Sequence, residues 1–371
     1  MKRLVLSALL LISIIVKAQE PVLYFENSNL IAPAQQNGKW GYVNTKGEWV
    51  IPPTYVYAKP FNNGLAEVKM YAEGKARIGL INKENKLVTE LKGYNISKYS
   101  EGLLVFKEGE LYGYMDTTGN KVIPAQFNYC APFREGKAAV TFKDGKIGYI
   151  DKSKKLFISP RFYSASEYSE GIAVVSTGIE AHKRKYSCID DKGNQIIAPE
   201  YNWITSFSEG YAFANIGGYL ENNVVLEGKW YIIDAKGNKV PASADSTLGV
   251  EIQSYPYILK FVNGVAWFPA NVNGKQKFGL IDVKGKWVLE PKYEYVGKFS
   301  EGRASVFDNN RYGFIDAKGN IVIQNFFESV GDFHHGLAWF KVDEKYGVID
   351  KNGKIVIDAK FQEIGDFAEV K

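Results

Sequence analysis

The chain has 371 residues, with 46 Lys and Arg against 41 Asp and Glu, and a formal net charge of +5. Three basic residues, Lys2, Arg3 and Lys17, fall within the first 18 residues, which contain no acidic residue, so the rest of the chain carries +2. Its lysines are spread evenly, mostly in predicted turns. Because nucleic-acid binding requires a concentrated basic face, this composition excludes nucleic acid as a partner.

The N-terminus has the three parts of a secretory signal. Lys2 and Arg3 form the basic start, residues 4–16 the apolar segment, and residues 16–18 a Val-Lys-Ala cleavage site before Gln19. The apolar segment is shorter than the ~20 residues that span a bilayer, and no cysteine near the cleavage site could carry a lipid. We expect removal of the signal peptide, residues 1–18, and export to the periplasm, the cell surface or the medium, with no transmembrane segment left. An uncleaved anchor is the alternative.

Nine segments begin alike, with an apolar residue, a Gly-like position and then an Ile, Val or Met before Asp or Asn. Successive starts are 38, 34, 35, 39, 44, 48, 34 and 34 residues apart, and such a period is typical of repeat architectures. The starts are Trp40-Gly41, Ile78-Gly79, Tyr112-Gly113, Ile147-Gly148, Tyr186-Ser187, Trp230-Tyr231, Phe278-Gly279, Tyr312-Gly313 and Tyr346-Gly347.

The first half of each unit predicts a hairpin. Large apolar residues alternate in the opening segment, which favours a strand. An Asp-x-x-Gly turn follows, in which Asp accepts backbone hydrogen bonds and Gly adopts the left-handed conformation. A second strand comes next, and the proline near its end, as in Pro52-Pro53 or Pro124, is expected to terminate the ladder because it has no N–H to donate.

The second half of each unit predicts a tight crossover and a third strand. Two aromatic residues stand six apart with a small or apolar residue midway, as in Tyr55, Ala58 and Phe61, which indicates three inward positions. A Glu-Gly turn and a strand with Ala at its second position complete the unit. Other aromatic pairs are Phe127/Phe133, Phe162/Tyr168, Tyr201/Phe207, Tyr293/Phe299, Phe327/Phe333 and Phe361/Phe367.

These units predict an all-β tandem repeat array over residues 19–371, with three short antiparallel strands per unit. We expect an open, curved superhelix, because nine units exceed the usual 4–8 propeller blades and propeller blades have four strands. A closed propeller-like ring is the alternative. Residues 31–34 align with a third strand that precedes the first unit, and the last unit stops after Phe367, so the two ends could complete one unit together.

These motifs resemble the WG-repeat family of bacterial proteins. The motifs are the Lys-Trp-Gly-Tyr-Val opening at Lys39, the Asp-x-x-Gly-Lys/Asn-x-Val-Ile-x-Pro middle and the Phe-Ser-Glu-Gly-x-Ala ending. The resemblance covers essentially the whole chain after the signal. Only Trp40-Gly41 keeps the literal Trp-Gly pair, and Tyr231 occupies the Gly position of the sixth unit. The resemblance implies general interaction modules and no particular activity.

Polar residues that recur in every unit predict turns and not catalysis. Seven aspartates share one turn position and the Glu of Glu-Gly another, whereas glycosidases need one specific carboxylate pair. His334-His335 replaces Ser-Glu in a polar turn without a third metal ligand. No nucleotide-binding or hydrolase motif occurs, so we expect no enzyme activity, cofactor or metal. The aspartates are Asp116, Asp151, Asp190, Asp234, Asp282, Asp316 and Asp350.

The two cysteines are expected to be free. Cys130 stands in the inward midpoint position and Cys188 in a strand position held elsewhere by Tyr, Leu or Phe. Both cysteines are therefore predicted to act as small buried apolar residues. A whole unit separates them, whereas a disulfide requires Cα atoms within ~7 Å.

One variable position, two residues after the first aromatic of each crossover, is a candidate binding surface. Its aromatic members, Tyr57, Tyr129, Trp203 and Tyr295, could stack on sugar rings or peptide side chains. Partial burial against the neighbouring unit is the alternative interpretation. The irregular segment from Val240 to Leu259, with Tyr255 and Tyr257, is a second candidate, and a tolerated surface loop is the alternative. The other members of the position are Ser164, Ser329 and Glu363.

The sequence therefore predicts an exported binding or scaffolding module. Its partner would be a protein or a glycan of the cell surface or extracellular space. An enzyme acting on polysaccharide and a purely structural envelope component are the alternatives. A unique convergent polar cluster in one unit would favour the enzyme, and the sequence contains none.

Overall fold

A computed structural model describes residues 29–72, 74–90, 95–180, 183–221, 224–240 and 259–370. Within these ranges the chain forms nine antiparallel sheets arranged around an axis, which we call blades 1 to 9, and one extra hairpin. Among the described residues, no helix has the length and apolar character needed to cross a membrane. The signal peptide and the segment with Tyr255 and Tyr257 lie outside the described residues.

The strands follow the chain from blade to blade. Blades 1 to 3 contain β1 (Leu30–Gln36), β2 (Lys39–Asn44) and β3 (Trp49–Tyr55); β4 (Tyr57–Ala58), β5 (Ala66–Ala72), β6 (Lys75–Ile81) and β7 (Leu87–Glu90); and β8 (Asn95–Ser100), β9 (Leu103–Glu108), β10 (Leu111–Asp116) and β11 (Lys121–Phe127). Blades 4 and 5 contain β12 (Tyr129–Cys130), β13 (Lys137–Thr141), β14 (Ile147–Asp151) and β15 (Leu156–Phe162); and β16 (Ser164–Ala165), β17 (Ala173–Ser176), β18 (Tyr186–Ile189) and β19 (Gln195–Tyr201).

Blade 6 contains β20 (Trp203–Ile204) and β21 (Tyr211–Ile216), then the extra hairpin β22 (Tyr219–Glu221) and β23 (Val224–Leu226), then β24 (Lys229–Asp234) and β25 (Lys239–Val240). The described part of blade 7 contains β26 (Val265–Val272), β27 (Lys275–Asp282) and β28 (Trp287–Tyr293). Blades 8 and 9 contain β29 (Tyr295–Val296), β30 (Ala304–Asp308), β31 (Arg311–Ile315) and β32 (Ile321–Phe327); and β33 (Ser329–Val330), β34 (Leu337–Val342), β35 (Lys345–Asp350) and β36 (Ile355–Phe361). The chain ends with β37 (Glu363–Ile364) and β38 (Ala368–Glu369).

The prediction of three strands per unit was wrong, because the crossover contains a fourth strand. In blade 2, β4 pairs with β5 through Tyr57 opposite Lys69 and Ala58 opposite Val68. This two-residue strand opens the next blade, so each sequence unit ends one blade and begins another. We name the strands of a complete blade A to D in spatial order, strand A being the two-residue one. In blade 3, β8 takes this place.

The ring is closed, so the expected open superhelix was wrong and the alternative was right. β37 serves as strand A of blade 1 and pairs with β1, with Ile364 opposite Ala34. β38 extends this pairing, with Glu369 opposite Leu30. Two distant parts of the chain therefore share one sheet, with β1 to β3 as strands B to D.

The core lies between blades. Side chains on facing sheets form nine apolar clusters among the described residues, one for each pair of neighbouring blades. Tyr42 of blade 1 packs with Phe61 of blade 2, and Phe361 of blade 9 packs with Val43 of blade 1. Strands B and C are covered on both faces, which explains their continuous apolar runs.

A bulge in strand D explains both the prolines and the glycines of the repeat. Trp40 pairs with Tyr55, but Tyr42 pairs with Ile51, so extra residues including Pro52 bulge out of strand D. The ladder resumes after the proline instead of ending there, contrary to the sequence prediction. Opposite the bulge, a Cβ on Gly41 would lie 2.3 Å from the carbonyl oxygen of Ile51. The glycine therefore recurs at this point of the repeat because the backbone of strand D leaves no room for a side chain.

The aspartates stabilise the turn between strands C and D, as predicted. Oδ1 of Asp116 accepts hydrogen bonds from the backbone N–H groups of Thr118 and Asn120, both at 2.9 Å. The same two bonds occur at every one of the seven repeat aspartates. Aspartate recurs at this position because its carboxylate accepts the backbone hydrogen bonds of the turn.

Candidate functional site

The turns between strands A and B form a row along one face of the ring. In blade 4, Arg134 bridges to Lys137 across the two-residue turn Glu135-Gly136. Both turn residues have positive φ, 52° and 74°, as a two-residue hairpin of this hand requires. Glutamate is uncommon in that conformation, so its recurrence here indicates a role for the side chain.

Each glutamate of this row binds the turn of the next blade. The carboxylate of Glu135 accepts hydrogen bonds from the backbone N–H groups of Glu170 at 2.7 Å and Gly171 at 2.9 Å. Equivalent pairs of bonds connect Glu170 to Glu209 and Gly210, Glu209 to Asn263 and Gly264, and Glu301 to His335 and Gly336. The prediction of a turn residue is confirmed, and the structure adds a bond between blades.

The serine before this glutamate makes a second bond between blades. The hydroxyl of Ser100 donates to the backbone carbonyl of Phe133 at 2.6 Å. Ser169 donates to Phe207 at 2.8 Å and Ser208 to Phe261 at 2.7 Å. The Ser-Glu-Gly motif therefore joins successive blades through three backbone groups.

These bonds place strand A at the inner edge of the ring. Equivalent positions in a closed ring are closest together where the ring is narrowest, and a single glutamate side chain spans from one A–B turn to the next. The C–D turns are instead contacted by strand D of the preceding blade, as Gly319 is by Leu289 and Gly47 by Lys360. From these contacts we infer that strand A, and not strand D, lies toward the centre of the ring.

The predicted aromatic position lies on strand A, where its members differ in exposure. Tyr57, Tyr129 and Tyr295 are 45%, 50% and 56% exposed, while Trp203 is less exposed and packs against the core clusters on both sides. Each ring also meets another ring edge-on, so exposure and partial burial are combined. The pairs are Tyr57 with Trp40, Tyr129 with Tyr112, Trp203 with Tyr186 and Tyr295 with Phe307, at centroid distances of 5.8, 5.8, 5.4 and 5.6 Å.

These aromatic residues are not brought together in one cluster. Tyr57, Tyr129, Trp203 and Tyr295 stand on blades 2, 4, 6 and 8, so another blade separates each from the next. Their role in binding stays a prediction. Trp203 lines a cavity.

An open cavity of about 620 Å³ lies along the strand A edges of blades 4 to 7. Trp203 forms one part of its lining, and Ser164 of blade 5 stands beside it in the same position of the repeat. Arg134 and Glu167, joined by an ion pair of 3.1 Å, line another part. Sequence reasoning did not predict this cluster, although the change from aromatic residues to Ser164 in that position was a visible signal.

A second charged group lies where the ring closes. Nε2 of His334 is 3.6 Å from Oδ2 of Asp366, and Lys298 pairs with Asp332 at 3.2 Å. Burial raises the pKa of Asp366, and the neighbouring His334 side chain partly opposes this shift. The expected turn location of the histidine pair is confirmed, since His335 has φ 53°.

The described residues hold no group of three or more His, Cys, Asp or Glu side chains placed to bind a metal ion. Cys130 and Cys188 are buried and free, as predicted. Burial raises the pKa of each thiol to about 12, so both stay protonated at neutral pH and act as apolar core residues.

These features together define a nine-bladed, all-β propeller. The chain matches the family described as WG containing repeat and belongs to it. The matched residues are 40–72, 78–112, 112–146, 147–178, 186–219, 278–312, 312–346 and 346–369. The matches omit residues 220–277, where the sixth unit has Tyr231 in the Gly position.

Several solved structures are similar to the chain at low sequence identity. The computationally designed Ika8 protein is 12% identical with a TM-score of 0.44, covering 80% of this chain and 93% of its own. The β-propeller domain of the Trilobed protease from Pyrococcus furiosus is 15% identical with a TM-score of 0.39, covering 82% and 99%. Hsv2p from Kluyveromyces lactis is 8% identical with a TM-score of 0.37, covering 95% and 99%. A comparison with curated protein sequences finds no match.

Proposed function

We propose that this protein is an exported, non-catalytic binding module whose partner, a protein or a cell-surface glycan, docks on the inner edge of the ring. Repeat proteins bind through equivalent positions of successive units. Strand A supplies such positions, because its first residue varies between blades while its second stays small or apolar.

The observation that carries this proposal is the exposure of aromatic rings on strand A. Tyr129 and Tyr295 remain about half exposed although each also packs against another ring. Aromatic side chains with one fixed edge and one free face provide contact area at little cost in conformational entropy. They are suited to hold a partner.

The recurrent carboxylates support binding over catalysis. Asp116 and its equivalents accept hydrogen bonds from their own turn, and Glu135 and its equivalents accept them from the next blade. A carboxylate that accepts these backbone hydrogen bonds stabilises the fold. Glu167, the carboxylate at the cavity that is free of such a role, is paired with Arg134, and one carboxylate is not the pair that glycoside hydrolysis needs.

The test is a binding screen of the purified chain against glycan and peptide arrays. Replacing Tyr129 and Tyr295 together with serine should reduce partner binding by about tenfold or more, as expected for aromatic anchors. The control is Tyr71→Ser, at a tyrosine that is 63% exposed and lies near the end of β5, away from strand A. Equal loss in both variants, or turnover of any array compound, would contradict the proposal.

A further inference from the structure

We infer that the cavity beside Trp203 is a carbohydrate-binding site that takes a short oligosaccharide. This inference rests on the proposed binding function and names its ligand class. The cavity volume of about 620 Å³ falls within the range of small-ligand sites, roughly 300–1,000 Å³. Its lining comes from blades 4 to 7, so it is one localised site on an otherwise repetitive ring.

The cavity opens where the repeat changes from large to small residues. Three successive blades place Tyr129, Ser164 and Trp203 at the same point of strand A. Ser164 replaces a bulky ring between two blades that keep theirs. The space that a tyrosine would take in blade 5 is therefore available to a ligand, next to an indole ring.

Trp203 provides a platform whose orientation is fixed. Its ring meets Tyr186 at a centroid distance of 5.4 Å and an interplanar angle of 63°, and its backbone pairs with Asn215 of β21. A ring held from one edge keeps its face in a constant direction. The apolar C–H face of a pyranose ring packs on such a face, while the sugar hydroxyls point sideways to polar groups.

The polar groups of the cavity match a neutral polyhydroxyl ligand. Arg134 and Glu167 offer planar donors and acceptors side by side, and both can bond to sugar hydroxyls without a net charge on the ligand. Ser164 and Ser206 also line the cavity, and a serine hydroxyl can both donate and accept a hydrogen bond.

An apolar peptide anchor fits this lining less well. Anchors of that kind fill well-packed, fully desolvated pockets, whereas this cavity is open and has an ion pair in its wall. Burying that pair under an apolar side chain would remove its water without supplying new hydrogen bonds. The geometry therefore favours a sugar over a peptide side chain.

The test uses a substitution that fills the cavity and leaves the blade intact. Purified full-length chain is titrated with short oligosaccharides of hexoses and N-acetylhexosamines, chosen from array hits, by isothermal calorimetry. Ser164→Tyr should weaken binding by on the order of tenfold or more. Tyrosine is the natural residue at this point in blades 2, 4 and 8, so the melting temperature should stay close to that of the unsubstituted chain.

The matched control is Ser329→Tyr, the same substitution on strand A of blade 9, which should leave sugar binding unchanged. Equal loss in both variants, or a Ser164→Tyr chain that binds sugars normally, would overturn the inference. Binding of peptides alone would overturn the inference but leave the proposed binding function standing. Binding of neither class would overturn both.

Discussion

Gly113 and the equivalent glycines must lack a Cβ because the backbone of strand D lies against them. A Cβ on Gly113 would lie 2.5 Å from the carbonyl oxygen of Ile123, because strand D bulges toward strand C at that point. The sequence shows that this glycine recurs but not why, since the reason is a backbone contact formed only after the hairpin folds. Ser187 fills the position in blade 5, where the same register shift persists.

The corresponding prediction concerns Gly148. A Cβ there would lie 2.6 Å from the carbonyl oxygen of Ile158, which is backbone and cannot rotate away. Gly148→Ala should therefore lower the free energy of unfolding by about 1–3 kcal/mol, measured by urea denaturation. In the control Gly178→Ala, the nearest atom is 3.4 Å away, and we expect little change. Similar effects at both glycines would argue against the backbone-contact explanation.

At the scale of strands and turns, prediction from sequence was uneven. Strands B, C and D and the Asp-x-x-Gly turn were predictable, because alternation and turn residues are encoded locally. Strand A was missed because two residues, such as Tyr57 and Ala58, are too few to show a period of two. The bond from Glu135 to the next blade was also unpredictable, since Glu-Gly alone indicates only a turn.

The aspartates of the C–D turns are expected to make stability depend on pH. Hydrogen bonds from Ser153 lower the pKa of Asp151, and those from Asn194 lower the pKa of Asp190. At a pH between the lowered pKa of these aspartates in the folded chain and their ordinary pKa, the unfolded chain binds more protons than the folded chain. Stability therefore rises with pH in this range. The contribution of the ionised aspartates to the free energy of unfolding is fully present above about pH 4. It is lost as the pH falls through their pKa in the folded chain.

Thermal melting from about pH 5 down to about pH 2 measures this loss. The double variant Asp151→Asn and Asp190→Asn should lose stability less steeply with acid than the unsubstituted chain. Asp358→Asn, at an exposed residue of β36, serves as the control and should follow the unsubstituted chain. An unchanged pH profile in the double variant would show that the turn carboxylates do not govern acid sensitivity.

At the scale of the whole molecule, the sequence showed both ends of one split unit but did not decide between ring and superhelix. The usual number of blades and an undercount of strands both favoured the open form. Closure depends on Ile364 reaching Ala34, a contact between residues 330 positions apart, which no local pattern encodes. The cavity beside Trp203 was unpredictable for a similar reason, because it needs four blades in their final positions.

The central claim is that β37 and β38 close a ring of nine blades, and small-angle X-ray scattering of the purified chain tests it most directly. A compact chain of this length has a radius of gyration of about 20 Å, so we expect a value close to this and a flattened, disc-like particle. A markedly larger radius with the scattering of an elongated particle would contradict closure.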